Sequence, residues 1–493
     1  MQSLKRIPYF LFLLPVFFCL HGWVENYGLV RGRDLLIPGA VILVCLGIVF
    51  VLLWLLYRKQ YVPAALVTFF TGTWYIFFGA VVDWLDGIPA LAFLSPYSRL
   101  LPLLVIATIA WIWLLRKRKP LQLKLLYFFN ILLIIYCGID TALLISKSGS
   151  NTGKDPVSEI RFDTAKVTQK PNVYFLLFDE YAGKKSLQDS FHFNNDSLYH
   201  FLGDRGFKEL PTFSNYDFTL FSMASLFNMN YIGDNYRSDA IVERDIQRRT
   251  IEIREGAVFG IFRSMGYRIR NYSLFDIGDQ PGIAKRNSFL PLHSQLLTDK
   301  ILHNRVMRTS GWLLRNEKFG LGSFRKKILY EHDVNNKAME EGIIAAAAEK
   351  RADPVLYISH FLLPHWPYYR DSTGKLLEES VISHSVNIKN RGLYISYLQY
   401  TNSVIRRLAD AIVTGDPGAI VIIMSDHGFR EYEVPGTARA DFDNIALVRL
   451  PGDGISFPKD RWSNVNLFRY IFNARFGQNL PYLPDTSLVL KYK

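Results

Sequence analysis

The distribution of apolar positions divides the chain into two parts. The first 146 residues are dominated by long apolar runs, whereas the remainder alternates apolar and polar positions as globular domains do. Five runs are long enough to cross a hydrocarbon core of ~30 Å. They lie at 7–24, 35–56, 62–82, 100–115 and 123–145. The pattern therefore predicts a transmembrane domain of five helices over 1–146.

Basic residues beside these runs predict the orientation of the chain. Lys5 and Arg6 precede the first run, Arg58 and Lys59 separate the second from the third, and the basic stretch 116–119 separates the fourth from the fifth. All of these charges fall on one side if the chain crosses five times, and the positive-inside rule makes that side cytoplasmic. Everything after the fifth run is then expected outside the membrane.

The first run has an alternative interpretation as a cleaved signal peptide. It has the basic start of one, but residues 21–23 (His-Gly-Trp) make a poor cleavage site. After the fifth run, residues 147–170 are polar and rich in Ser, Gly, Lys and Asp, which is typical of a juxtamembrane linker. The sequence thus predicts an outer domain over 171–493.

Charge and cysteine usage narrow the function of that outer domain. The formal net charge is +13, and part of the excess lies in short loops beside the apolar runs. That placement suits membrane topology and anionic headgroups better than nucleic acid, for which no binding motif appears. Because Cys19, Cys45 and Cys137 all lie in the apolar runs, the outer domain has no disulfide, cysteine nucleophile or thiolate metal site.

The outer part has the pattern of an α/β domain. Runs of strand length, rich in β-branched and aromatic residues, lie at 173–178, 267–272, 355–359, 419–424 and 445–450. Helical patterns lie between them, at 336–350 and 394–413. Strands that alternate with helices predict a mostly parallel sheet covered by helices on both faces. Catalytic groups are expected at the carboxyl ends of such strands.

Two of the predicted strands end in ligand-type side chains. The run 173–178 is followed by Asp179 and Glu180, two acids that repel each other unless a cation compensates. The run 419–424 is followed by Ser425 and then by Asp426 and His427, an oxygen and a nitrogen ligand suited to Zn²⁺ or Mn²⁺. The alternatives are a helix N-terminus for the first pair and an Asp–His turn without a ligand for the second.

Hydroxyl and imidazole groups lie between these two pairs. Thr219, Ser222 and Ser225 recur every third residue, which places them along one face of a helix. A hydroxyl at a helix N-terminus can act as a nucleophile beside backbone N–H groups, or it can simply cap the helix. His365 stands between two prolines on a stiff loop and can contact a phosphoryl oxygen or move a proton. The alternative for this histidine, and more so for His360 earlier in the same segment, is a packed loop histidine without a role in chemistry.

Taken in order, these segments resemble the alkaline-phosphatase/sulfatase superfamily over about 171–452. Sulfatases have two acids after a strand, then C/S-x-P-S-R, Pro-His-x-Pro and Ser-Asp-His-Gly; the equivalents here are 179–180, 219–223, 364–367 and 425–428. Thr219 cannot form the formylglycine of sulfatases, and Met223 replaces the expected Arg. A threonine nucleophile and five spans instead resemble the membrane branch, the lipoteichoic acid synthases and phosphoethanolamine transferases.

The resemblance implies a role for each candidate residue. Thr219 is the implied nucleophile, and His365 holds the substrate phosphate or transfers a proton. The metal ligands implied by position are Asp179, Thr219, Asp426 and His427, with Glu180 as a further candidate. The implied substrate-binding residues are His360, Ser222 and Trp366. The implied cofactor is one divalent metal ion, with Zn or Mn favoured over Mg or Ca. A histidine that some phosphoethanolamine transferases carry after Asp-His-Gly has no counterpart, since the sequence continues Phe-Arg-Glu.

The implied function is metal-dependent transfer of a phospholipid headgroup phosphate, of phosphoglycerol or phosphoethanolamine type, to an envelope glycan or lipid through a phosphothreonine. The protein is then expected in the bacterial cytoplasmic (inner) membrane, with its catalytic domain on the periplasmic or extracellular side. Two alternatives stay open: a phosphodiesterase or phosphatase that uses water as acceptor, and a non-catalytic membrane protein that retains the fold.

Overall fold

The protein is described by a computed structural model that covers most of the chain. The described residues are 6–27, 30–150, 160–232, 241, 243–283, 294–306, 326, 329–430, 440–452, 455–458 and 460–490. They form two compact units. Met1–Gly153 and Asn287–Leu314 make up the first, and Lys154–Arg286 and Arg315–Lys493 make up the second.

Apolar helices build the first unit. They are α1 (Phe10–Glu25), α2 (Leu36–Leu56), α3 (Tyr61–Ile76), α4 (Phe78–Asp86), α5 (Tyr97–Lys117) and α6 (Lys119–Ser150), with 3₁₀ turns at Gly32–Leu35 and Ala92–Leu94. Exposed apolar side chains cover the outer faces of α2, α5 and α6, as expected for helices that contact lipid. The prediction that the apolar runs of the first 146 residues form helices is thus confirmed.

The prediction of five spanning helices is wrong in number. Within the described residues, three helices are long and apolar enough to cross a membrane: Gly32–Leu56, Tyr97–Lys117 and Lys119–Ser148. The third predicted run is broken into α3 and α4, which make a fourth span only if counted together across a 56° bend. The first run yields α1, whose 16 residues reach about 24 Å at ~1.5 Å per residue, short of the ~30 Å core.

A segment from far along the chain packs on these helices. Residues 294–306 carry the short helix α12 (Gln295–Thr298), and the side chains of Leu297 and Ile301 are buried in the apolar core of the first unit. Lys300 Nζ lies 2.5 Å from Asp83 Oδ2 on α4, and Arg305 pairs with the same carboxylate. The sequence did not predict that this segment belongs with the apolar helices.

The second unit is built on a six-stranded sheet in the order β2-β7-β6-β1-β5-β4. Its strands are β1 (Val173–Phe178), β2 (Lys208–Glu209), β4 (Arg268–Tyr272), β5 (Val355–Phe361), β6 (Ile420–Met424) and β7 (Ala446–Arg449), while β3 (Thr212–Phe213) pairs with β8 (Trp462–Ser463). The four strands β6, β1, β5 and β4 are parallel. At one edge β7 pairs antiparallel with β6, and β2 pairs antiparallel with β7.

Both faces of this sheet are covered, because alternate residues of the fully buried β1 enter different cores. Val173, Phe175 and Leu177 join one core, and Tyr174 and Phe178 join the other. The helices of the unit are α7 (Lys184–Phe191), α8 (Asp196–Gly203), α9 (Thr219–Asn228), α10 (Glu243–Arg254), α11 (Ala257–Ser264), α13 (Glu331–Ala348), α14 (Glu379–Ser383), α15 (Arg391–Gly415) and α16 (Leu467–Phe476), with 3₁₀ turns at Thr164–Lys166, Ser385–Lys389, Ala440–Phe442 and Asn464–Asn466. The predicted mostly parallel, doubly covered α/β fold is confirmed.

Candidate metal centre

The candidate site forms where the central parallel strands end. β1 pairs with β6 and with β5, so that Leu177 lies opposite Met424 on one side and His360 on the other. The residues that follow β1 and β6 therefore emerge at the same edge of the sheet. Asp179, just past β1, and Asp426, just past β6, are brought together in this way.

Three ligand-type side chains converge at this edge. The carboxylates of Asp179 and Asp426 and the imidazole of His427 are buried, with one ligand atom of each within 4.8 Å of the others. His427 Nε2 lies 3.2 Å from Asp426 Oδ2 and 3.9 Å from Asp179 Oδ1. Thr219 Oγ1, on the first residue of α9, lies 3.3 Å from the same nitrogen. Four residues from three of the predicted segments therefore meet at His427 Nε2.

The imidazole of His427 is oriented for ligation. Its Nδ1 lies 2.7 Å from the carbonyl oxygen of Gly428, which can only accept a hydrogen bond. Nδ1 must therefore carry the proton, and Nε2 keeps its lone pair on the side of the carboxylates. This is the tautomer that a metal-binding histidine needs.

Two buried carboxylate oxygens test whether the site fits a cation. Among the described residues, Asp179 Oδ1 and Asp426 Oδ2 have no hydrogen-bond partner, although both are buried. They are the carboxylate oxygens that lie 3.9 Å and 3.2 Å from His427 Nε2. Buried anionic oxygens without a partner are costly, so the pair fits a divalent cation. Two carboxylates, an imidazole and a hydroxyl form a donor set suited to Zn²⁺ or Mn²⁺.

The other oxygen of each carboxylate is held by the protein. His360 Nε2 lies 3.1 Å from Asp179 Oδ2, and the ring of His360 stacks on Phe275 with centroids 4.9 Å apart. The backbone N–H of Glu180 donates to Asp426 Oδ1 over 3.1 Å. These bonds orient the ligand oxygens in the way that outer partners of metal sites do.

Charges around the cluster shift two pKa values. Burial by itself raises the pKa of Asp179, but the neighbouring His365, His360 and His427 outweigh burial and hold that pKa below its usual range. Burial lowers the pKa of His365, but the carboxylates of Asp179 and Glu180 outweigh it and raise that pKa above its ordinary value. The site therefore favours anionic carboxylates beside a readily protonated imidazole.

Glu180 occupies a different place from the three clustered ligands. Its backbone is left-handed, with φ of 61°, and is fixed by the Tyr394 hydroxyl, which donates to Glu180 O over 3.0 Å and accepts from Ala182 N over 3.1 Å. Its carboxylate accepts from Arg430 N over 3.1 Å and lies 3.8 Å from His365 Nε2. Glu180 thus links the ligand cluster to the predicted substrate histidine.

The remaining predicted residues lie around the cluster. Ser222 is buried, and its hydroxyl donates to the carbonyl oxygen of Asp426 over 2.6 Å. His365 and Trp366 are partly exposed on the loop after β5, with His365 Nδ1 hydrogen-bonded to Trp366 O. The substrate-binding roles of His360, Ser222 and Trp366 stay predictions.

The structure adds three residues that the motifs did not single out. Ser214 donates to Asp426 O over 2.7 Å and so shares the task of Ser222. Tyr394 fixes the turn after β1, as described above. Arg430 Nη1 donates to Asp217 O over 3.1 Å. Of these, only Arg430 could have been found from the sequence, because it lies two positions after the Ser-Asp-His-Gly segment.

Similarity to known proteins is found among solved structures alone. No protein-family model and no curated protein matches the chain. Similar solved structures include the C-terminal periplasmic domain of EcEptC from Escherichia coli in complex with Zn (12% identity, TM-score 0.39, covering 63% of this chain and 84% of that one). They also include the phosphonate monoester hydrolase SpPMH from Silicibacter pomeroyi (12%, 0.39, 65% and 76%) and BT33494S-sulf, from a glycosaminoglycan-metabolism locus of Bacteroides thetaiotaomicron (14%, 0.38, 62% and 72%).

At these identities and TM-scores the similarities carry no argument about activity, which has to come from the geometry of the site. The site contains all four segments that the sequence resemblance was based on, at one edge of one sheet.

Proposed function

We propose that the protein is a membrane-anchored phosphotransferase that moves a phospholipid headgroup phosphate, through Thr219, to a hydroxyl of an envelope glycan or lipid. The observation that carries this proposal is the position of the Thr219 hydroxyl, 3.3 Å from the ligand nitrogen of His427 and next to two carboxylate oxygens without partners. A bound Zn²⁺ or Mn²⁺ would lower the pKa of that hydroxyl and offset negative charge on a phosphoryl group.

Thr219 is well placed to act as the nucleophile. It is partly exposed, whereas Asp179, Asp426 and His427 are buried, so a substrate can reach its oxygen. It is also the first residue of the ten-residue α9, where backbone N–H groups and the helix dipole favour an anion. The amides of Thr219 and Leu220 have no hydrogen-bond partner in the described part of the chain. A phosphoryl group on Thr219 would lie beside these donors.

The proposed reaction has two steps. Thr219 Oγ1 releases its proton to solvent and attacks the phosphorus, the phosphorus–oxygen bond to diacylglycerol breaks, and His365 gives a proton to the departing oxygen. In the second step the acceptor hydroxyl gives its proton to His365 and attacks the phosphothreonine, the bond from phosphorus to Thr219 Oγ1 breaks, and Thr219 takes a proton back from solvent. Burial lowers the pKa of His365, but the carboxylates of Asp179 and Glu180 outweigh it and raise that pKa, a direction that favours a proton donor.

The first unit supports a lipid donor. Its apolar helices support a protein held in the cytoplasmic membrane. When the bent pair α3 and α4 counts as one span, the basic residues at 58–59 and 116–119 still fall on one side, which favours a catalytic unit outside. A catalytic unit tethered to the bilayer by its own chain meets phospholipid at a high effective concentration. Phosphatidylglycerol and phosphatidylethanolamine are the donors that the family resemblance suggests.

Mass spectrometry of Thr219 tests the proposal. The full chain, loaded with Zn²⁺ or Mn²⁺, is incubated with headgroup-labelled phosphatidylglycerol or phosphatidylethanolamine, and the products are separated. We expect diacylglycerol, a headgroup phosphate mass on the peptide that contains Thr219, and label in an added hydroxyl acceptor. Release of the label only as a water-soluble phosphate ester would show a hydrolase instead. Turnover without any modification of Thr219 would reject its role.

A further inference from the structure

Four arginines line a cleft along the edge strand β4, which we call the arginine cleft. Arg268 and Arg270 lie on the same face of β4, because side chains alternate along a strand. Arg263 comes from α11, and Arg351 comes from the segment just before β5. The cleft has a volume of about 550 Å³, within the range of ~300–1,000 Å³ that is typical of small-ligand sites.

The guanidinium groups of the arginine cleft outnumber the carboxylates that pair with them. Arg268 Nη2 lies 2.5 Å from Asp353 Oδ2, and both side chains are exposed. Arg270 and Arg351 both pair with the carboxylate of Glu349. Exposed ion pairs of this kind contribute little to stability, so they open readily when a stronger anion is offered. The cleft therefore keeps an excess of positive charge.

Two of the four arginines also have donors that no described residue uses. The guanidinium of Arg263 makes no hydrogen bond or ion pair within the described part of the chain. Arg351 is mostly buried, yet its Nε has no hydrogen-bond partner there. Buried donors of a charged group are costly when they are left without a partner. Because a guanidinium presents a rigid fork of N–H groups that matches phosphate oxygens, these donors favour an oxyanion.

The free edge of β4 is closed to a further strand. Gln280 also lines the cleft, and its Nε2 donates to Ile269 O over 2.5 Å. Asn271 N donates to Gln280 Oε1 over 3.2 Å. The side-chain amide thus occupies the backbone groups that an added strand would need. A peptide that extends the sheet is therefore not the expected ligand, and charge is what the cleft offers.

The arginine cleft is separate from the candidate metal centre. Arg268 lies opposite Val355, the first residue of β5, whereas the clustered metal ligands follow the carboxyl ends of β1 and β6. The seven residues of β5 extend over ~20 Å at ~3.3 Å per residue. A small anion in the cleft would therefore lie too far away to react with Thr219.

We infer that the arginine cleft is a second anion site, which binds a phosphate group without transferring it. In a chain with helices long and apolar enough to cross a membrane, that phosphate can belong to a phospholipid headgroup or to a soluble phosphate. Both present the same oxygens to the guanidinium groups. The site goes beyond the proposed function and does not depend on Thr219.

Hydrogen exchange in the full chain tests the arginine cleft. The protein, as purified in uncharged detergent at low salt, is titrated with inorganic phosphate or with short-chain phosphatidic acid. Exchange is followed by mass spectrometry in peptides that cover 263–283, and the half-saturating ligand concentration is read from those peptides alone. Because the readout is local, binding of either ligand at the candidate metal centre does not enter it.

Two double variants are compared with the wild type. Arg263→Gln with Arg270→Gln removes two charges from the cleft and keeps the ion pair of Arg351. The matched control, Arg205→Gln with Arg406→Gln, removes two charges from the surface beside α8 and α15. The unfolding temperature is measured for each variant. Arg263→Gln alone replaces the double variant if the latter is less stable than the wild type.

We expect both ligands to slow exchange in 263–283. The double variant of the cleft should raise the half-saturating concentration at least about tenfold, and Arg263→Gln alone at least about threefold, because charge-assisted hydrogen bonds are lost. The control should stay within about twofold of wild type, because distant surface charges are screened. Phosphatidic acid that binds at least about tenfold more tightly than phosphate would identify a lipid headgroup as the ligand, and equal affinities would identify soluble phosphate.

Two results would overturn the inference. If exchange in 263–283 is unchanged at about 10 mM phosphate and at saturating phosphatidic acid, the cleft does not bind a phosphate group. If the cleft variant and the control weaken binding equally, the ligands respond to the overall positive charge and not to the cleft. Neither result touches the modification of Thr219, so the proposed function is accepted or rejected by its own experiment.

Discussion

The second unit buries carboxylates in two places, which differ in whether the protein supplies hydrogen-bond partners for all of the carboxylate oxygens. Between α13 and the loop after β5, Asp333 receives both Nε and Nη2 of Arg370 at 2.6 Å, and the two side chains are almost fully buried. At the carboxyl edge of the sheet, Asp179 and Asp426 are as deeply buried, yet each has an oxygen without a partner among the described residues. The charges of the first place are paired within the protein, whereas the second place offers two oxygens that fit a cation.

This difference distinguishes charges that stabilise the fold from charges that can bind a ligand. A bidentate arginine–carboxylate pair satisfies its own hydrogen bonds and leaves nothing to attract a ligand. Two acids that face one histidine nitrogen repel each other unless positive charge is added. The carboxylates of the two places are buried to a similar degree. The unpaired oxygens, and the nearby Thr219 hydroxyl, are what mark the second place as a site for chemistry.

The largest expected effect is on turnover. Thr219→Ala should lower the rate of headgroup transfer by about 10⁴-fold or more, because removal of a covalent nucleophile leaves only substrate binding and electrostatics. Bound metal and the unfolding temperature should stay close to wild type, since Asp179, Asp426 and His427 remain. The matched control is Thr250→Ala, an exposed threonine on α10. Wild-type-like turnover in Thr219→Ala would mean that the site works without a phosphothreonine.

The structural pair should respond in stability rather than in activity. Arg370→Met leaves Asp333 buried without its partner and should lower the free energy of unfolding by about 3–5 kcal/mol. The double variant Asp333→Leu with Arg370→Met should recover most of that loss, because it leaves no buried charge. Unfolding of the full chain in detergent gives the stabilities, and activity per folded molecule should not change. If the single variant loses less than about 1 kcal/mol, Asp333 does not depend on Arg370 for its stabilisation and the interpretation as a structural pair is wrong.

The sequence predicted the ligand cluster because local patterns located it. A buried apolar run that ends in acids is readable without a structure, and the parallel arrangement then places Asp179 and Asp426 at one edge. The approach of Thr219 to His427, across 208 positions of sequence, depends on how α9 packs on the sheet. No periodicity in the sequence encodes that packing. The residues by themselves left the role of Thr219 open, as a nucleophile or as a helix cap. The family resemblance suggested that Thr219 lies beside the ligand residues.

The membrane part was less predictable for a related reason. Hydrophobicity identifies apolar runs, but it does not show where a helix breaks, as between α3 and α4. It also cannot show that Lys300 and Arg305 reach Asp83, since these partners are separated by 217 and 222 positions. Charge pairs over such separations leave no pattern in the sequence. Contacts of this kind, rather than secondary structure, account for most of what the sequence did not predict.

The smallest expected effect is a change in the free energy of unfolding whose sign depends on bound metal. In the metal-free protein, Asp426→Asn removes one of two facing buried charges and should raise the free energy of unfolding by about 1 kcal/mol. With Zn²⁺ or Mn²⁺ at about 100 times its Kd, wild type should gain about 2.7 kcal/mol by mass action, whereas the variant, having lost a ligand, should gain little. The order of stability should therefore reverse when metal is added, as followed by thermal unfolding with and without chelator. Asp333→Asn is the matched control, because it should be less stable than wild type under both conditions. If Asp426→Asn behaves like that control, the two carboxylates at the sheet edge are compensated by the protein and the metal centre is refuted.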